Sequence, residues 1–343
     1  MLTETKTQLD VLDEFIMRPA TIDDLETAVD LFNTCSQAQI GADEFTVEEY
    51  RTEWEAPGFD MENSTRAVCT LDGQLVGLVE VWDLANPPVK IWVWGRVHPD
   101  FEGLGIGTML MEWAEERARQ AIDRVPEGVQ VIMQSGVVST YEPPQHLFAR
   151  LGMEQNRHFW RMAIDLAGNI PQAVWPDGIT MRTFTDINDL PTVYRAVDEA
   201  FRDHWGYVAS EEKEILERWR HFIETDDSFD PDLWFLAMDG DEIAGISLCR
   251  FKITDDPEMG FVDTLGVRRP WRRQGLGLAM LHHTFAEFKN RGQKRVGLGV
   301  DAASLTGATR LYEKAGMHVA RQFANYAKVL RPGNDISTQT VTN

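Results

Sequence analysis

The chain repeats itself. Phe15-Ile16-Met17-Arg18 returns as Ile179-Thr180-Met181-Arg182, which sets the arginines 164 residues apart (182 − 18). Leu71-Asp72-Gly73 followed by Gly77 returns as Met238-Asp239-Gly240 followed by Gly245, an offset of 167 (239 − 72). In both places Asp-Gly between apolar runs reads as a hairpin turn. Val97 with Gly105-Ile106-Gly107 returns as Val267 with Gly275-Leu276-Gly277 at 170 (275 − 105), and Leu147-Phe148 with Gly152-Met153 returns as Leu311-Tyr312 with Gly316-Met317 at 164 (311 − 147). One such match carries little weight, because G-x-G is common. Four in the same order, with an offset drifting by only 6 residues (170 − 164), point to duplication.

A duplicated chain of 343 residues divides into two domains of ordinary size. The breaker-rich stretch from Ala167-Gly168-Asn169-Ile170-Pro171 to Trp175-Pro176-Asp177-Gly178 marks the join. The expected layout is a flexible N-terminus at 1–14, a first domain at 15–168, a linker at 169–178, a second domain at 179–331 and a flexible tail at 332–343. Each copy reads as strand, one or two helices, a three-strand meander, a helix opening at the glycines, a strand, a short helix and a last strand. The fold class is therefore α/β, with a mixed sheet flanked by helices in each copy. In the second copy, Leu278, Leu281, Phe285 and Phe288 recur at steps of three and four, which predicts a helix from Leu276 with one face in the core.

Charge narrows the function. A formal charge of −22 repels phosphate backbones, so nucleic acid is not an expected partner. The three cysteines have no C-x-x-C spacing, so neither a disulfide framework nor a zinc site is signalled. The tandem His282 and His283 point to different faces of a helix and cannot easily share a metal; none is expected. The polar Met1 to Glu14 lacks the apolar core of a secretion signal, and no apolar run reaches membrane-spanning length. A cytoplasmic protein without a membrane partner is expected, as monomer or homodimer.

Against that acidic background, Leu265-Gly266-Val267-Arg268-Arg269-Pro270-Trp271-Arg272-Arg273-Gln274-Gly275-Leu276-Gly277-Leu278 runs from an apolar strand through a basic loop into a helix. Glycines at 275 and 277 admit close backbone approach, and the first turn of a helix offers amides without intrahelical partners and a dipole that favours an anion. The layout suits a diphosphate. A dinucleotide fingerprint competes poorly, because G-x-G-x-x-G is not completed.

Here the sequence resembles a known superfamily. Arg272-Arg273-Gln274-Gly275-Leu276-Gly277 is similar to the R-x-x-G-x-G/A coenzyme A motif of the GCN5-related N-acetyltransferases (GNATs). Val300-Asp301-Ala302-Ala303-Ser304, Ala308, Leu311-Tyr312-Glu313-Lys314 and Gly316-Met317 resemble its strand-loop-helix closure, with Ser304 where many members carry Asn. The resemblance spans both copies, and tandem members such as mycothiol synthase share the plan. It implies two acyl-CoA N-acyltransferase domains, acetyl-CoA as cosubstrate, and direct attack of a small-molecule amine on the thioester. Leu265, Gly266 and Val267 would hold the pantetheine arm, and Arg272, Arg273, Gln274, Gly275, Leu276, Gly277 and Leu278 the diphosphate. Ser304 would contribute a polar contact and Tyr312 would protonate the leaving thiolate.

A base must take the amine's proton. Asp263 shares a strand face with Leu265 and Val267, and Glu258 is a second candidate. The run Ala200-Phe201-Arg202-Asp203-His204-Trp205-Gly206-Tyr207 lies where this superfamily forms its acceptor pocket, and Asp203 and Glu199 there could attract a cationic amine. The first copy has Glu102, Gly103 and Phe148 where the second has Arg272, Arg273 and Tyr312, and so reads as a degenerate lobe. Two other functions stay open: a non-catalytic acyl-CoA-binding module, and an acetyltransferase acting on proteins or peptides.

Overall fold

A computed structural model describes residues 14–340 of the chain. The N-terminal segment expected to be flexible lies outside the described residues except for Glu14. In chain order the first copy contains β1 (Phe15–Arg18), α1 (Leu25–Ile40), α2 (Val47–Trp54), β2 (Thr65–Thr70), β3 (Leu75–Trp82), β4 (Lys90–Val97), α3 (Ile106–Gln120), β5 (Val131–Val138), α4 (Glu142–Arg150) and β6 (Glu154–Asp165). The second contains β7 (Ile179–Thr183), α5 (Leu190–Phe201), α6 (Glu212–Thr225), β8 (Trp234–Asp239), β9 (Glu242–Arg250), β10 (Met259–Val267), α7 (Leu276–Asn290), β11 (Arg295–Asp301), α8 (Ala308–Lys314) and β12 (His318–Arg331). The repeat in the sequence is thus a repeat of elements.

The chain forms two compact units, and each takes its last strand from the other copy. Among the described residues, unit one comprises 14–156 with 224–226 and 323–336; unit two comprises 157–223, 227–322 and 337–340. Unit one's strands run in the order β1, β2, β3, β4, β5, β12, and unit two's in the order β7, β8, β9, β10, β11, β6. β6 pairs antiparallel with β11 from Asp165↔Arg295 to Phe159↔Asp301, and β12 pairs antiparallel with β5 from Phe323↔Val138 to Arg331↔Val131. Two contiguous domains at 15–168 and 179–331 therefore describe the repeat in the sequence, whereas the folded units exchange their final strands. The apolar positions of both strands suit either sheet, so alternation alone does not choose between them.

Unit two's core lies against α7. Leu281, Phe285 and Phe288 are fully buried with Val262, Val296 and Leu298 of the sheet and Met162 of β6. The ring of Phe288 occupies the space a Cβ at Gly260 would need, which explains a glycine in mid-strand. Truncating Phe285 to Ala would cost about 3–5 kcal/mol, a large share of a domain's stability. In unit one, α1 and α2 bury Leu25, Phe32, Tyr50 and Trp54 against β2 and β3.

The flexible tail expected at 332–343 is tied down where it is described. The Gly206 amide donates to the Thr338 carbonyl (2.7 Å), the Thr338 amide to that of Tyr207 (2.9 Å), and Trp205 Nε1 to Gln339 Oε1 (2.9 Å). Backbone pairing of this kind needs no apolar signature, so its sequence reads as a frayed end.

Candidate active site

The site of unit two grows from a parallel strand pair that opens. β10 and β11 pair from Met259↔Arg295 to Val262↔Leu298 and no further. At that point the pairing of β10 with β9 slips between Val262 and Thr264, a bulge that bends the strand. Beyond it Thr264 to Val267 pair only with β9, while Gly299 to Asp301 pair only with β6. The result is a slot whose wall on the β10 side is unpaired backbone at Leu265, Gly266 and Val267.

At the end of the slot the chain makes its anion cradle. A single turn at Arg269–Trp271 leads into α7, with Arg273 (φ 63°) and the N-cap Gly275 (φ 87°) both left-handed. Alternating hand turns successive N–H groups toward one concavity. Among the described residues the amides of Arg273, Gln274, Gly275, Leu276 and Gly277 make no hydrogen bond; the ladder begins with Leu278 and Ala279 donating to the Gly275 carbonyl (3.1 and 3.0 Å). A Cβ at Gly275 would meet nothing within 4 Å, so the position faces open space. Leu276 is buried, Leu278 is half-buried, and the Gln274 side chain donates to the Pro270 carbonyl (3.0 Å).

The basic loop is arranged differently from a ring of free guanidinium groups. Arg268 pairs with Glu199 (2.7 Å) and Glu242 (3.3 Å). Arg269 and Arg272 both bond Asp203, Arg272 at 2.5 Å, and Arg272 also donates to the carbonyls of Val267 (2.9 Å) and Ala200 (3.1 Å). These contacts fasten the loop after α5 to the end of β10. The two guanidinium groups hold the Asp203 carboxyl far below the usual carboxylate range, with burial opposing. Of the four arginines, Arg273 alone keeps its side chain exposed with no partner among the described residues. Asp203 and Glu199 are both neutralised by arginine, so neither is an open attractor for a cationic amine.

Tyr312 on α8 is 7% exposed within the apolar core, and burial raises its phenol from 10.0 to about 12. Among the described residues its hydroxyl has no hydrogen-bond partner, so it stays a neutral donor with its proton uncommitted. Ser304 sits before α8, its hydroxyl 3.1 Å from Thr306 Oγ1 and accepting from the Ala308 amide (3.4 Å). Asp263 lies at the bulge, exposed and gripped by Arg250 (2.7–3.0 Å), and Glu258 is exposed beside Arg295 (3.6 Å). Neither carboxylate is brought to the slot unencumbered.

His204 is a residue that spacing did not single out. Its ring lies 4.2 Å from that of Phe201, tilted by 49°, and Phe201 with Ala200 presses on Gly266: a Cβ there would come 3.1 Å from Phe201 Cε2 and 2.9 Å from Ala200 Cβ. Burial, with the nearby Arg272, lowers its pKa, so the imidazole is neutral near pH 7. All three cysteines are buried, and burial raises their thiols, so none is poised as a nucleophile. Among the described residues no group of His, Cys, Asp or Glu could hold a metal ion, and no helix is long and apolar enough to cross a membrane.

Unit one keeps the cradle's backbone but changes its side chains. Gly103 (φ 78°) and Gly105 (φ 95°) repeat the left-handed pair, and among the described residues the amides from Gly103 to Thr108 make no hydrogen bond. A Cβ at Gly107 would lie 3.1 Å from Leu147 and 3.7 Å from Val97, and one at Gly277 the same distances from Leu311 and Val267. Glu102 stands for Arg272 and bonds Tyr141 Oη (2.5 Å), Phe148 stands for Tyr312, and Arg96 stands for Gly266.

An opened parallel pair and a nest of free amides at a helix start suit an acyl-CoA-dependent N-acyltransferase, the class to which the family match assigns the chain. The sequence profile of the acetyltransferase (GNAT) family matches residues 26–153 and 191–317, and the chain belongs to that family. The mycothiol acetyltransferase of Thermobispora bispora is 29% identical over 257 residues, 74% of this chain and 80% of its own. That of Mycolicibacterium vanbaalenii is 26% identical, over 78% and 83%. A GCN5-related N-acetyltransferase from Sphaerobacter thermophilus superposes with a TM-score of 0.75 at 34% identity, covering 95% of this chain and 99% of that one. A tandem GNAT protein from the clavulanic acid biosynthesis pathway shares the fold at a TM-score of 0.67 and 17% identity, covering 94% and 100%.

Proposed function

We propose that unit two transfers an acetyl group from acetyl-CoA to the primary amine of a small molecule by direct attack, and that unit one takes no part in the chemistry. The observation carrying this reading is the run of five free amides from Arg273 to Gly277 at the mouth of the β10/β11 slot. A diphosphate there meets a ready set of donors and the positive end of α7. The pantetheine arm then lies along Leu265 to Val267 as an added strand, which aims the thioester at Gly266. Arg273 supplies charge to the diphosphate, while Arg272 acts through Asp203 and Val267 to hold the cradle's shape. Ser304 keeps α8 in register.

In the reaction the amine nitrogen bonds to the thioester carbon, the carbon–sulfur bond breaks, and the thiolate takes a proton from Tyr312. The amine's own proton goes to His204, whose neutral ring abuts Phe201 beside Gly266; Asp263 would serve only after leaving Arg250. Positioning supplies much of the acceleration. The mycothiol acetyltransferase relatives support a small acceptor over a protein or peptide. Thiol release from acetyl-CoA across a panel of small amines tests the reading, with His204→Asn alongside. Turnover with at least one amine is expected, and the low-pH limb of kcat/KM should vanish in the variant. Tight coenzyme A binding without turnover of any amine would favour a non-catalytic module instead.

A further inference from the structure

Unit one contains a cavity of about 670 Å³ lined by its own glycine cradle and by the end of β4, Arg96 among the lining residues. The place of Arg96 in the sheet, opposite Leu78 and one residue before Val97, matches that of Gly266, opposite Ile246 and one before Val267. Where unit two packs Ile246, Ala200 and Phe201 against a glycine, unit one carries a guanidinium group. Arg96 lies 4.3 Å over the Trp94 ring, NH1 donates to the Gly95 carbonyl (3.1 Å), and Nε is buried without a partner. Among the described residues no carboxylate forms a direct ion pair with it; burial lowers its pKa, and the charge of Glu44 opposes that shift. A half-buried guanidinium group with an unsatisfied buried N–H and no direct ion pair is placed to take an anion.

The rest of the cavity says what that would be. Leu78, Val97, Met109, Leu110 and Leu147 make most of its wall apolar. At the cradle end, Glu102 takes the place of an arginine and sets a carboxylate beside the amides, which opposes a diphosphate. We propose that this cavity binds a small organic monocarboxylate, its carboxylate on Arg96 and its apolar body along the Leu78–Leu147 wall. The site is separate from the acetyl transfer proposed for unit two and does not depend on it.

Benzoate and hexanoate are the probes, titrated into the full chain and read by calorimetry and by the rise in thermal midpoint that ligand binding to the native state produces. Both should bind and raise the midpoint. Arg96→Met, which keeps a long apolar stem without the charge, should weaken binding at least about tenfold. Gly275→Glu, which alters only unit two's cradle, should leave the response intact. The proposal is overturned if neither probe binds, if Arg96→Met binds them as well as wild type, or if Gly275→Glu abolishes the response, which would place the carboxylate in unit two.

Discussion

Replacing Tyr312 with Phe removes one oxygen and almost nothing else. The ring sits in a core with Leu281, Phe285 and Val300, and those contacts survive the change. The hydroxyl makes no hydrogen bond among the described residues, so no partner is orphaned and stability should change by less than about 1 kcal/mol. A thiolate needs only modest help to leave, so the loss of its acid should cost about 10- to 100-fold in kcat, the lower part of the range for general acids or below it, or about 1.4–2.8 kcal/mol. The assay is release of free thiol from acetyl-CoA at saturating amine, with a melting curve on the same sample. Because the phenol is raised to about 12, wild-type kcat should show no loss from its ionisation up to about pH 10. The sign for folding is consistent: a proton held more tightly in the native state stabilises fully below 10.0, and that contribution is lost as pH rises through about 12. A kcat unchanged within twofold would refute the acid role. A drop in rate matched by a fall of many degrees in melting temperature would show that the hydroxyl is structural.

Gly275→Ala and Gly105→Ala put a side chain at equivalent left-handed N-caps (φ 87° and 95°), and each should cost about 1–2 kcal/mol by differential scanning calorimetry. Only the first should raise the KM for acetyl-CoA; equal effects would contradict the asymmetry of the units. Asp203→Asn leaves the half-buried Arg272 without its counter-charge and should cost about 2 kcal/mol, less than a fully buried pair because the Arg272 side chain is 26% exposed. The carboxyl's pKa is lowered on folding, so its contribution is present above 3.8 and fades as pH falls below it; Asp203→Asn should therefore converge on wild type in acid denaturation, and a constant gap would sink the argument.

What the sequence disclosed and what it withheld divide along physical lines. Gly275 and Gly277 announced the cradle because no other residue type leaves backbone so open, and Phe285 and Phe288 announced α7 because a helix face repeats in sequence. The exchange of β6 and β12 was not legible, since strand partners are chosen by register across 130 residues or more (Asp165 to Arg295) and leave no local mark. The basic loop misled in a particular way: four arginines in six positions suggest a phosphate grip, yet Arg268, Arg269 and Arg272 face Glu199 at the end of α5 and Asp203 in the loop after it, some 65 residues earlier (269 − 203 = 66). Helix α5 stops at Phe201, and Asp203 turns in to meet Arg269 and Arg272. That break brings His204 onto Phe201, a placement that a histidine beside a tryptophan does not advertise. Arg96 was equally silent, because it becomes unusual only once the sheet sets it in register with Gly266.

Calorimetric titration of coenzyme A into wild type and Gly275→Glu bears most directly on the claim that one cradle does the work. One molecule per chain, with binding lost in the variant through a blocked nest and an added negative charge, is the predicted result. Two molecules per chain, or one that binds Gly275→Glu undiminished, would contradict it.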